Sequence, residues 1–237
     1  MIQKFLQRYR EAFGYGVPLP VAFGYSDTPV EEIRKIPRCM IGAIRNVCDG
    51  QALTLSVDNV LCGGSLYTRF APMQERIPRF VSEQEHYKQT PEQVKTYVSR
   101  LGISLTEKPY LNFVRMDKLA SLDDAEGILF FATPDVLSGL CSWAFYDNDA
   151  DDAVCTRFAS GCCSIVTFVV NENRKQGRCC FIGMLDPSAR PLVPANELTF
   201  VIPMHRFNEM MQTMEQSALF QKAYSIVRKR INGEIGK

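Results

Sequence analysis

Residues Gly127 to Pro134 read GILFFATP. A short unbroken apolar run of this kind, bounded by turn signals, is a buried strand rather than a helix. The threonine and proline that follow are a helix start: a capping residue, then a ring whose fixed φ suits the first helical position. The predicted helix carries Val136, Leu137, Leu140, Trp143 and Ala144 on one face. Strand and helix therefore meet with almost no linker.

The rest of the chain mixes the two element types without regular alternation. Residues 2 to 13 place Ile2, Phe5, Leu6, Tyr9 and Phe13 on one side of a helix that Gly14 and Gly16 end. The prolines of PLPVAFGY hold that stretch extended. Cys39 to Asp49 has helical spacing at Met40, Ile41, Ile44 and Val47, with Gly50 as its stop. ALTLSV is a short strand, SVDN a turn, and Gly63 to Phe70 a short helix. Thr90-Pro91 opens a helix that ends at Gly102. YLNFVRM, RCCFIG and ELTFVIP are strands. Gly161 to Val170 fits helix and strand equally. Pro203 opens a pair of amphipathic helices reaching Ile231. No linker or solenoid-length repeat divides the 237 residues. The expected fold is a single α+β domain over residues 1–237, with sheet packed against several amphipathic helices.

Composition narrows the function classes. Net charge is +1, so no basic excess points to nucleic acid or a membrane surface. No run approaches the roughly 20 apolar residues of a membrane span. Residues 2 to 13 are broken by Lys4, Arg8, Arg10 and Glu11 and lack the apolar core of a signal peptide. A cytoplasmic location is expected. Nine cysteines, an odd number, do not suit a secreted disulfide framework.

Four of these cysteines stand at three helix doorsteps: Cys39, Cys62 before Gly63-Gly64, and the pair Cys162-Cys163 after Gly161. Helix N-termini favour anions and thiolates. The two glycines would let backbone N–H groups approach an anion closely. Arg190, in the proline-punctuated loop after Asp186, is a candidate clamp for a carboxylate or phosphate. The plainer account is that small residues pack well where segments converge, with Arg190 paired to Asp186 or Glu197. Cys48, Cys141 and Cys155 read as core fillers.

Metal spacing is absent: no C-x₂₋₄-C pair occurs. A metal or iron–sulfur centre held by Cys39, Cys62, Cys162 and Cys163 from distant segments stays open. Only His86 and His205 could serve a Cys–His dyad, and sequence does not place them. No G-x-S-x-G, H-E-x-x-H or P-loop is present.

PLPVAFGY, RCMIGAIRNVCDG, VLCGGSLYTRF, GILFFATPDVL, GCCSIVTFVV and DPSARPLVPANELTFVIP, in that order, resemble an archaeal and bacterial family known as domain of unknown function 169, or ArCR. The resemblance covers nearly the whole chain. It implies that Cys39, Cys62, one of Cys162 and Cys163, and Arg190 are recurring positions; it implies no activity. LDPSAR in place of a glycine-containing ending, and the added Cys180, depart from the family pattern. Three functions follow as expectations. The first is a binding module, its pocket lined by Cys39, Cys62, Gly63, Gly64, Cys162 and Arg190, that takes an anionic small molecule, a metal or an iron–sulfur cluster. The second is a thiol-dependent enzyme using Cys62 or Cys162. The third is an interaction protein, with helices from His205 to Ile231 as a homo-oligomer face.

Overall fold

In the computed structural model, residues 1–235 are described. Seven strands form: β1 (Val21–Ser26), β2 (Leu53–Leu55), β3 (Tyr110–Arg115), β4 (Gly127–Ala132), β5 (Val154–Thr156), β6 (Cys180–Gly183) and β7 (Leu198–Pro203). They make one sheet in the order β2-β3-β1-β4-β7-β6-β5. Every neighbouring pair is antiparallel except β5 and β6, which run parallel with Val154 opposite Cys180.

Side-chain alternation along these strands builds two cores. Val21, Phe23, Phe113, Leu129, Phe131, Phe181 and Val201 point to one face. Ala22, Ile128, Phe130, Ala132, Cys180, Phe200 and Ile202 point to the other. All six residues of the central strand β4 are buried. That is why its sequence is an unbroken apolar run and not an alternating one.

Helices cover both faces. The second core is closed by α1 (Ile2–Phe13), α6 (Pro134–Tyr146), α8 (Met204–Thr213) and α9 (Lys222–Ile231). The first is covered mainly by α2 (Met40–Asn46) and α7 (Phe168–Arg174), with α5 (Pro91–Arg100) packed at its margin. Two shorter pieces, α3 (Gly64–Tyr67) and α4 (Ile77–Arg79), complete this side. α4 runs on as a π-helical turn through Phe80–Gln84, and α7 is entered through another at Cys163–Thr167. The result is the expected single α+β domain.

The ambiguous stretch Gly161 to Val170 is helical, and all ten of its residues are buried. A helix buried on every side has no polar face, so its periodicity is silent. Gly50 stops its helix at φ 101° and Thr90 caps α5 by accepting from Gln93 N–H at 3.3 Å. Thr90→Ala is expected to cost about 1 kcal/mol, the usual worth of such a cap, read as a lower urea midpoint at unchanged slope. The sequence reading missed β5 and α4. β5 is three residues long beside an acidic turn, and α4 lies in a stretch of mixed polarity.

Candidate functional site: a cavity where three cysteines meet

The loops before α2 and α3 and the turn at Gly161 converge beside the first core. Cys39 precedes α2, Cys62 precedes α3, and Cys162 opens the buried π-helical turn. Together with Gly63 and Gly64 these cysteines line one cavity of about 290 Å³. Three thiols distant in sequence therefore face a common space.

Gly64 is the pivot. A β-carbon there would stand 2.3 Å from Met40 Cε, 3.2 Å from Cys62 Sγ and 3.5 Å from Cys162 Sγ. A side chain there would have to displace the Met40 methyl and crowd Cys62 Sγ, so glycine keeps this backbone close to both sulfurs. Gly64 N–H also donates to Cys62 Sγ at 3.4 Å, and Ser160 Oγ lies 3.5 Å from Cys162 Sγ.

The walls are largely apolar and aromatic. Tyr67, Ile77, Phe80, Val94 and Tyr97 line the cavity, with Tyr87 and the exposed Phe158 beside them. Tyr87 and Phe158 meet edge to face at 5.7 Å. Lys88 Nζ rides over the Tyr97 ring, 5.2 Å from its centre. Tyr97 OH donates to Phe158 O at 3.3 Å and ties α5 to the Gly161 turn. Four charged residues reach the lining: Arg38, Glu85, Lys88 and Asp186.

A family model described as uncharacterised ArCR, domain of unknown function 169, matches residues 19–213. The chain belongs to the DUF169 family. No curated protein and no solved structure matches it. The DUF169 match contains all seven strands and every residue that lines the cavity, while α1 and α9 lie outside it. The cavity is thus built wholly from the DUF169 portion.

Two expected site residues stand elsewhere. Arg190 does not reach the cavity of this DUF169 protein. Its guanidinium donates to the main-chain carbonyls of Glu197, Pro194 and Ala195, at 3.4 Å for Pro194 and 2.7 Å for Ala195. It closes its own loop. The Glu197 carboxylate belongs to Arg45, which donates to it at 2.7 and 3.0 Å. Cys163 is fully buried beside Tyr97 and Thr167 and does not line the cavity.

The expected anion cradle is also not formed. α2 has seven residues and α3 four, too few for a substantial dipole. Gly63 has φ −56°, ordinary right-handed backbone, so no left-handed nest exists at this glycine pair. The glycines provide room for Met40, Ile77 and the sulfurs. Among the described residues, no three His, Cys, Asp or Glu side chains converge closely enough to hold a metal ion. Neither His86 nor His205 lines the cavity; His205 Nε2 lies 3.6 Å from Glu209 on α8.

Burial sets the state of the thiols. It pushes Cys39 up, with the charges of Cys62 and Asp186 adding to the effect. It pushes Cys162 well above the usual thiol range. Cys62 is the exposed member. Asp186 was legible in the sequence only as a partner for Arg190. Instead its carboxylate accepts from Gly161 N–H at 3.3 Å and from Ser188 N–H and Oγ at 2.9 and 2.7 Å. It anchors the turn that presents Cys162. The aromatic walls have no sequence signal because Phe80, Tyr87 and Tyr97 lie far apart in a stretch rich in charged and polar residues.

Proposed function

We propose that this protein is a small-molecule binding module whose ligand lies in the cysteine-lined cavity. The carrying observation is that Cys39, Cys62 and Cys162, from three separate segments, surround one space with aromatic walls. Protein interiors close-pack, so an apolar cavity of this size is a feature to be accounted for. Its volume, about 290 Å³, lies near the lower bound of ligand pockets, which are mostly apolar with a few polar groups that fix orientation. A molecule with one ring and a short polar arm matches that size.

The thiol-enzyme reading has less support. A nucleophile must be a thiolate, and burial keeps Cys39 and Cys162 protonated. That leaves Cys62, exposed at the cavity mouth. All nine cysteines are free, which supports a cytoplasmic location where thiols stay reduced. Among the described residues no helix is long and apolar enough to cross a membrane. α8 turns Met204, Phe207 and Met210 into the second core, so core packing already accounts for its apolar face.

The test uses 2-phenylethanol as a neutral probe, followed by saturation-transfer NMR. Binding is expected with the free protein and is expected to vanish once Cys62 carries N-ethylmaleimide. Cys62→Ala protein given the same treatment should still bind. Binding that survives the modification of Cys62 contradicts the proposal.

A further inference from the structure

Resting on that reading of the cavity, we infer that its ligand is an amine: an apolar body the size of a single ring, with a protonated nitrogen held by Asp186 and Glu85. Asp186 is the most deeply set charge in the lining, only 5% exposed. A buried carboxylate ordinarily keeps a cation beside it, because an unpaired charge away from water is costly. Asp186 has hydrogen-bond donors from Gly161 and Ser188. Among the described residues no lysine, arginine or histidine forms an ion pair with it. The missing partner is a cation, and the side left to supply it from is the cavity.

Glu85 brings a second carboxyl to the same wall. Burial and then the negative charge of Asp186 hold its pKa above the usual range. A protonated nitrogen between the two would relieve that repulsion and donate charge-assisted hydrogen bonds to both carboxylates, since an ammonium has three donors to give. The aromatic faces nearby are suited to the same charge. Lys88 already occupies one side of Tyr97 at cation–π distance. Arg38 is exposed and Lys88 half-buried at the mouth, so solvent screens them more than it screens Asp186. The charge a ligand meets deepest is negative. The anionic ligand expected from the sequence is therefore the kind this wall disfavours.

Three probes of one size separate the alternatives: 2-phenylethylammonium, 2-phenylethanol and phenylacetate, each titrated calorimetrically into the full chain at pH 7. The ammonium is expected to bind about tenfold more tightly than the alcohol, as a charged hydrogen-bonded pair adds to shared apolar contacts, with phenylacetate weakest. Glu85→Gln and Asp186→Asn should each narrow the gap between ammonium and alcohol. Glu85→Gln keeps the test decisive should loss of the Asp186 charge disturb the Gly161 turn. Equal binding of alcohol and ammonium, or tightest binding of phenylacetate, overturns the amine inference and leaves the binding module standing. Binding of none of the three overturns both.

Discussion

Trp143→Ala is expected to lower the stability of the fold by about 3–5 kcal/mol, the usual cost of removing a large buried aromatic. Trp143 is fully buried in the second core. It stacks on Phe5 of α1 at 6.2 Å and meets Phe207 of α8 edge to face at 6.3 Å. Its Nε1 donates to Met210 O at 2.9 Å. Alanine removes the apolar contacts, opens a cavity between three helices and strips that carbonyl of the indole donor. For a chain of this length each kcal/mol moves Tm by roughly 2–4 °C, so scanning calorimetry reads the effect easily. The cysteine-lined cavity lies on the opposite face of the sheet, and any probe binding there should persist in the folded variant. A loss below about 1 kcal/mol would contradict the described packing of α1, α6 and α8.

The second large effect concerns the nine thiols. Burial pushes Cys48 and Cys163 up to about 12 and Cys141 to about 11. At pH 7 a thiol at about 12 is ionised about a thousandfold less than an ordinary one, and only thiolate alkylates. Exposure sets Cys62 apart. Iodoacetamide at pH 7 should therefore modify Cys62 at least about a hundredfold faster than Cys48 or Cys163, as read by peptide mass spectrometry. Raising the pH should speed the buried thiols about tenfold per unit up to their raised pKa values, well beyond the point where an ordinary thiol levels off. Uniform labelling at neutral pH would contradict the described burial.

The elements were legible in the sequence wherever burial is one-sided or a cap is local. α1 shows its apolar face at Ile2, Phe5, Leu6 and Tyr9, and α5 shows its start in Thr90-Pro91. Gly161 to Val170 was not legible as helix because it is buried all round. The partner order of the strands was hidden for a different reason: β5 joins β6 by long-range pairing, and nothing local to Val154–Thr156 specifies it.

The site was half legible. Helix-start cysteines beside glycines pointed to Cys39, Cys62 and Cys162, and their convergence is real, but the chemistry attached to it changed. Gly63 and Gly64 serve steric closeness and form no anion nest. Arg190 looked like a clamp because a guanidinium in a loop suits a carboxylate; main-chain carbonyls take it up instead. Asp186 holds the Gly161 turn through a hydrogen bond 25 residues distant in sequence, which no local pattern marks.

A small molecule held between Cys39, Cys62 and Cys162, as proposed, would perturb the methyl groups around it. Methyl NMR of protein labelled at isoleucine, leucine and valine tests it most directly, with 2-phenylethanol as the probe. Ile41, Ile77, Val81 and Val94 line this cavity, whereas Ile2 and Leu122 line a larger open groove of about 1100 Å³ beside α1 and α8. Saturable shifts are expected at the first four, with contacts from the probe to Ile77 and Val94. Shifts confined to Ile2 and Leu122, or none at any methyl, would contradict the proposal.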